Sequence, residues 1–223
     1  MMTSDISGYQ APSTPDQERL TWKQTRYLMR SDFERLVEWY GGGSFSRRLF
    51  WFFQPNYHAL FCYRIYRHLY LKNFRSLSRL LFLYTLYRTG VEISPTTSLG
   101  PACLIGHAFG VILFGKIGAR FSVHGQGGMG GGFGEKDIGG GPGYPVVGDD
   151  VVFGIKALAL GPVRIGNRVK LAPTAVVMGD VPDDALVMAA PSKIVKARMG
   201  SSDSAPGAAS NGTAATAKSA PPP

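Results

Sequence analysis

The sequence is short of cysteine, of long apolar runs and, over one wide stretch, of acid. Cys62 and Cys103 stand far apart, one among aromatics and one inside a repeat, which gives a disulfide little support and reads as a reducing, cytoplasmic setting. No stretch offers the ~20 apolar residues of a membrane-spanning helix. Met1 to Thr14 lacks the basic-then-apolar pattern of a secretion signal. Histidines and carboxylates do not fall at metal-ligand spacing, so no metal and no permanently bound cofactor is expected. Between Glu38 and Glu92 there is no Asp or Glu at all, so the formal net charge of +9 is concentrated rather than spread.

What is present is a six-residue beat from about Ile93 to Val181. Its positions read Ile93, Leu99, Ile105, Val111, Ile117, Val123, Met129, then Val147, Phe153, Ala159, Ile165, Leu171 and Val177, all apolar. The following residue is usually tiny: Gly100, Gly106, Gly118, Gly130, Gly148, Gly154, Gly166, Ala172. A repeat this short, with β-branched residues at one position and glycine beside it, predicts a parallel β-helix of three short strands per coil. Glycine is expected where a bend needs special backbone angles or a close approach. A glycine-rich excursion, 131–146, interrupts the repeat without losing its phase, and a loop of that length inside a compact repeat points to function.

Before the repeat, residues 1–13 read as a loose leader. A helix start is predicted at Thr14-Pro15-Asp16-Gln17, running to about Met29, and a second at Ser31-Asp32-Phe33-Glu34, ending at Gly41-Gly42-Gly43. Helices over about 57–72 and 75–88 complete a basic, aromatic helical domain, 14–89. Three readings stay open for it: a cap on the β-helix and on neighbouring subunits with arginines snorkelling outward, attraction of 45–89 to an anionic membrane face, and nucleic acid binding. The last has no recognition element behind it, so no nucleic acid partner is expected. Leu186 to Arg198 is expected to return along the last coils. The Ser/Ala/Gly/Thr/Pro-rich tail, 199–223, is too poor in apolar bulk to fold.

Residues 90–198 resemble the hexapeptide-repeat acyltransferases, specifically the serine acetyltransferase branch and its relatives in exopolysaccharide and colanic-acid biosynthesis. Gly90-Val91-Glu92-Ile93-Ser94-Pro95 is similar to the branch's opening, where aspartate stands at the position of Glu92. Ile105-Gly106-His107-Ala108-Phe109-Gly110-Val111 resembles its catalytic stretch. Met129-Gly130-Gly131, Gly143-Tyr144-Pro145 and Ala189-Ala190-Pro191-Ser192-Lys193-Ile194-Val195 fall at its remaining motifs. The resemblance implies a left-handed parallel β-helix, a homotrimer with sites between protomers, and acetyl-CoA as cosubstrate. It makes His107 the general base and Glu92 its orienting carboxylate. Backbone N–H groups near Gly130 or Gly131 are expected to receive the oxyanion. Lys170 meets a phosphate of CoA, and Tyr144 is an acceptor contact. His124 receives no role, and His58 and His68 read as core edge or surface.

The departures bear on the acceptor. The family's acid before the histidine is Gly106, its loop arginine is Gly143 and its second histidine is Tyr144. A zwitterion such as serine needs both charges paired. The first expectation is therefore acetyl transfer to a sugar hydroxyl in exopolysaccharide or capsule assembly. The second is serine O-acetylation with compensating charge from Asp32 or Glu34. The third is a silent scaffold. The glycine-rich loop lacks the lysine-serine/threonine ending of a phosphate cradle.

Overall fold

The computed structural model describes residues 20–190 apart from 133. The leader, the helix start at Thr14, the closing motif from Pro191 on and the tail lie outside the described residues.

Four helices come first: α1 (Trp22–Trp39), α2 (Phe45–Phe52), α3 (Pro55–Leu71) and α4 (Arg75–Thr89). Helix α1 starts at Thr21, whose hydroxyl accepts from the Gln24 N–H while Gln24 reaches back, a complete capping box. It then runs straight through the predicted start at Ser31–Glu34. The reason is that the capping side chains are used elsewhere. Ser31 Oγ donates to the Leu28 carbonyl at 2.8 Å, and Asp32 faces Arg64 across 2.8 Å. Helix α2 carries no side-chain cap and was not legible in the sequence; α3 and α4 match their predicted spans closely. Gly90, at φ 68°, ends α4 in a left-handed turn that hands the chain to the repeat.

The repeat forms three parallel sheets. The first holds β1 (Glu92–Ile93), β4 (Ile112–Leu113), β7 (Gly128–Gly130), β10 (Leu158–Leu160) and β13 (Val176–Val177). The second holds β2 (Ser98–Leu99), β5 (Lys116–Ile117), β8 (Val146–Val147) and β11 (Arg164–Ile165). The third holds β3 (Leu104–Ile105), β6 (Ser122–Val123), β9 (Val152–Phe153), β12 (Lys170–Leu171) and β14 (Leu186–Val187). Consecutive strands of the chain fall in different sheets, so the backbone winds. All thirteen apolar beat positions are buried, giving one continuous interior.

The left-handed bends correct one expectation. Most are not glycine: Ala102, Arg120, Gln126, Asp150, Lys156, Arg168, Thr174 and Asp184 all take φ between 53° and 63°. The glycines after the strands serve close stacking instead. A Cβ on Gly148 would lie 2.8 Å from the backbone carbon of Gly166 on the next coil.

A β-helix has an open end whose first coil has no coil above it to bond. Helix α3 fills that role. Tyr66 donates to the Ile93 carbonyl at 2.6 Å, Arg67 to Pro95 at 2.7 Å and Tyr63 to Thr97 at 2.7 Å. Arg64 donates to Leu99 and Gly100 at 2.5 and 2.6 Å, and Asn56 to Ile105 at 3.0 Å. On the donor side, Asp32 accepts from the Cys103 N–H at 2.8 Å. Each buried carbonyl left without a donor would cost roughly 1–3 kcal/mol. On α3, Tyr63, Arg64, Tyr66 and Arg67 are therefore the chemistry of a cap. This corrects the outward-snorkelling picture for Arg64 and Arg67, which are 2% and 7% exposed, whereas Arg47, Arg48, Arg75, Arg79 and Arg88 are exposed.

Candidate active site

The beat slips near its start. Ile93 is partnered by Leu113, not Val111, and Leu113 by Met129. The coil is two residues long at that point and two short immediately after. The extra length falls in the turn His107-Ala108-Phe109-Gly110, between β3 and β4. Backbone bonds pin the turn from both sides: Gly110 N–H donates to the Gly90 carbonyl at 3.0 Å, and Gln126 N–H to Phe109 at 2.9 Å.

His107 stands on this turn, exposed, and makes no side-chain hydrogen bond among the described residues. Its ring lies 6.1 Å from that of His124 on the next coil. His124 is half-buried and packs at 5.7 Å, with tilted rings, against Trp39, the last residue of α1. Burial, and then the neighbouring His107, push the His124 imidazole below its ordinary pKa, so it is neutral at pH 7. The Asn56 amide, through Ile105, holds the strand that leads into His107.

Residues 106 and 124 share a row. Ile105 pairs with Val123, Val123 with Phe153 and Phe153 with Leu171. The residues that follow are Gly106, His124, Gly154 and Ala172, with Met188 closing the row after Val187, so His124 is a bulky side chain set between two glycines. Its ring occupies the seat a side chain on 106 would take. A Cβ there would lie 2.7 Å from the imidazole Cε1 and overlap Nδ1.

Other residues singled out by sequence lie apart. Glu92 belongs to the first sheet, while His107 leaves the third. The Glu92 carboxylate makes no hydrogen bond or ion pair among the described residues, so the two are not joined. The Tyr144 ring stacks on Phe114 at 5.6 Å and covers Gly131, at the base of the 131–146 loop. Within that loop Asp137 accepts from the Gly139 and Gly141 N–H groups at 2.8 and 3.1 Å. Gly130 is open to solvent on its side-chain side, and the Gly131 N–H has no acceptor among the described residues. Lys170 is exposed on β12, in the same sheet as β3; three strand spacings put it roughly 14 Å along that wall.

The charges suggested for a zwitterion are taken. Asp32 is 1% exposed and bound to Arg64 and Cys103, and Glu34 pairs with Arg30 at 2.7 Å. Cys62 and Cys103 are both buried and free. Among the described residues no three His, Cys, Asp or Glu gather as a metal site. No described helix is long and apolar enough to cross a membrane. Sequence reasoning missed Trp39 and gave His124 no role; a bulky imidazole between two glycines of the row was the available signal.

No family model matches the chain. Known relatives do. The serine acetyltransferase of Mycobacterium tuberculosis H37Rv is 32% identical over 158 residues, 70% of this chain and 66% of the relative. That of Synechococcus elongatus is 33% identical over 143 residues, 63% of this chain and 57% of the relative. That of Helicobacter pylori is 32% identical over 143 residues, covering 63% of this chain and 81% of the relative. The chain thus spans just under two thirds of the first relative's length and less of the second's. Among solved structures, Neisseria gonorrhoeae serine acetyltransferase superposes with a TM-score of 0.68 at 28% identity, covering 79% of this chain and 68% of that one. Serine acetyltransferase isoform 3 of Entamoeba histolytica, in complex with cysteine, gives 0.67 at 26% identity, over 79% and 62%. With helices ahead of three parallel sheets and 32% identity over 143 residues, the fold is the left-handed parallel β-helix, and the chain belongs to the serine acetyltransferase family of hexapeptide-repeat acyltransferases.

Proposed function

We propose that the protein is an O-acetyltransferase that moves an acetyl group from acetyl-CoA to an acceptor hydroxyl, with His107 as general base. The observation that carries it is the lengthened turn, which holds an exposed imidazole, without a hydrogen-bond partner among the described residues, at the wall of the β-helix. A hydroxyl is a poor nucleophile until its proton is being removed. In this reading His107 takes that proton as the acceptor oxygen attacks the thioester carbonyl. The oxyanion is received by backbone N–H groups at Gly130 and Gly131, of which the latter is unpaired among the described residues. The tetrahedral intermediate collapses with cleavage of the carbon–sulfur bond, and the imidazolium returns the proton to the leaving CoA thiolate. Lys170 is the proposed partner of a CoA phosphate, Glu92 the carboxylate that steadies the imidazolium, and Tyr144 a contact at the loop.

Serine is the first acceptor to test, because the relatives named above are serine acetyltransferases and a Neisseria gonorrhoeae structure holds serine. A neutral sugar hydroxyl is the second. It is favoured by Gly106, Gly143 and Tyr144 and by the engagement of Asp32 and Glu34 within the helices. Release of CoA thiol, followed with L-serine and with neutral sugars, decides between them. Turnover with neither acceptor contradicts both.

The site of one chain is open, and Phe109, Ile112, Ile155, Val176 and Met178 are exposed apolar residues of the coils. A homotrimer that covers them and closes the site between protomers is part of the proposal, tested by light scattering. A cytoplasmic protein resting at the inner membrane face is the remaining part. It is supported by exposed Phe45, Phe50 and Phe53 beside Arg47 and Arg48. Flotation with anionic liposomes at low salt tests it, and no binding contradicts it.

A further inference from the structure

We infer that His124 is the acceptor-side residue of this site, and that its imidazole, seated where a side chain on residue 106 would stand, hydrogen-bonds an oxygen of the acceptor, hydroxyl or carboxylate. The inference rests on the acetyl-transfer reading above.

Three observations carry it. The first is the place of His124 in its row, between Gly106 and Gly154, where the ring fits because its upper neighbour has no side chain. The second is the neighbourhood: the ring lies 6.1 Å from His107 on one side and 5.7 Å from Trp39 on the other. The third is the absence of an existing partner. Among the described residues the His124 side chain makes ring contacts and no hydrogen bond, although it is half-buried. A polar ring in that state, beside the base, is available to a substrate.

The chemistry then selects the group it meets. An acceptor ammonium placed here would sit beside His107 as that ring takes up a proton, which sets like charges together. An oxygen does not, and the imidazole N–H donates to it. Hydroxyl-bearing acceptors with a second oxygen function, either a further hydroxyl or a carboxylate, share this feature. Trp39 supplies an apolar flank for the carbon skeleton.

The test is steady-state kinetics with acetyl-CoA and four acceptors: L-serine, 3-hydroxypropanoate, a neutral hexose and ethanolamine. For the best oxygen-bearing acceptor, His124→Ala is expected to raise KM about tenfold while leaving KM for acetyl-CoA unchanged. His124→Asn, which keeps a donor, recovers part of the loss. Gly106→Ala retains the imidazole but forces the ring from its seat, and is expected to reproduce the loss; it also decides the matter if His124→Ala does not fold. Comparison of L-serine, 3-hydroxypropanoate and hexose shows whether the oxygen is carboxylate or hydroxyl. An acceptor KM within about twofold of wild type in both His124→Ala and Gly106→Ala overturns the inference, as does ethanolamine as the preferred acceptor. Transfer that depends on His107 but not on His124 removes this inference alone. Wild-type transfer by His107→Ala removes the reading beneath it.

Discussion

Two corners of the β-helix are built from the same six-residue beat and have opposite contents. After the strands of the second sheet the row reads Gly100, Gly118, Gly148, Gly166, unbroken, with each glycine pressed against the backbone of the next coil. After those of the third sheet it reads Gly106, His124, Gly154, Ala172, Met188, and the turn just beyond Gly106 is two residues longer. The first corner is occupied by stacking alone. The second has given up regular stacking to seat two imidazoles and the Trp39 ring. In a repeat fold, where neighbouring coils set one another's geometry, the departures from the pattern are where chemistry has room.

The contrast can be broken from the capped end first. Arg64→Ala leaves the Asp32 carboxyl buried without its guanidinium and removes the hydrogen bonds that Arg64 gives to the Leu99 and Gly100 carbonyls. Burial already pushes that carboxyl above its usual range against the pull of Arg64. A loss of about 3–5 kcal/mol is expected by chemical denaturation, and a loss below about 1 kcal/mol contradicts the capping role. In the glycine corner, Gly148→Ala must displace the Gly166 backbone, at a cost of about 1–3 kcal/mol. Gly106→Ala meets a movable ring instead, so its melting temperature is expected to fall less while its acceptor KM rises. Equal melting shifts in the two variants would erase the distinction between the corners.

The smallest effect is with pH. His58, His68 and His124 are all held below their ordinary pKa, in each case by burial first and then by a neighbouring cation or imidazole. Below about pH 6.5 the unfolded chain takes up protons on these rings before the folded one does. Stability is therefore full above that value and falls as the pH drops towards the folded pKa values. Denaturation midpoints between pH 7.5 and 5.5 check this, and a midpoint that rises on acidification contradicts it.

The winding of the chain was legible because the beat is a direct imprint of side chains that alternate between interior and corner. Every beat position is buried, including Val111, which the strand register passes over. Less legible was everything set by contacts between distant segments. Ser31 and Asp32 look locally like a helix start, yet Ser31 bonds the preceding turn and Asp32 belongs to Arg64, so the helix continues. The arginines of the acid-free stretch look like surface charge, and Arg64 and Arg67 turn inward because the first coil offers carbonyls that no strand covers. His107 was singled out by the motif around it. His124 was visible as an oddity, but only the register that sets it against Gly106 gives the oddity a meaning.

The most direct test is CoA thiol release by wild type and His107→Ala, each shown by light scattering and thermal melting to keep its fold and assembly. Wild type is expected to turn over with a hydroxyl acceptor and the variant to fall at least ~100-fold in kcat. Equal rates would mean that the imidazole on the lengthened turn is not the base.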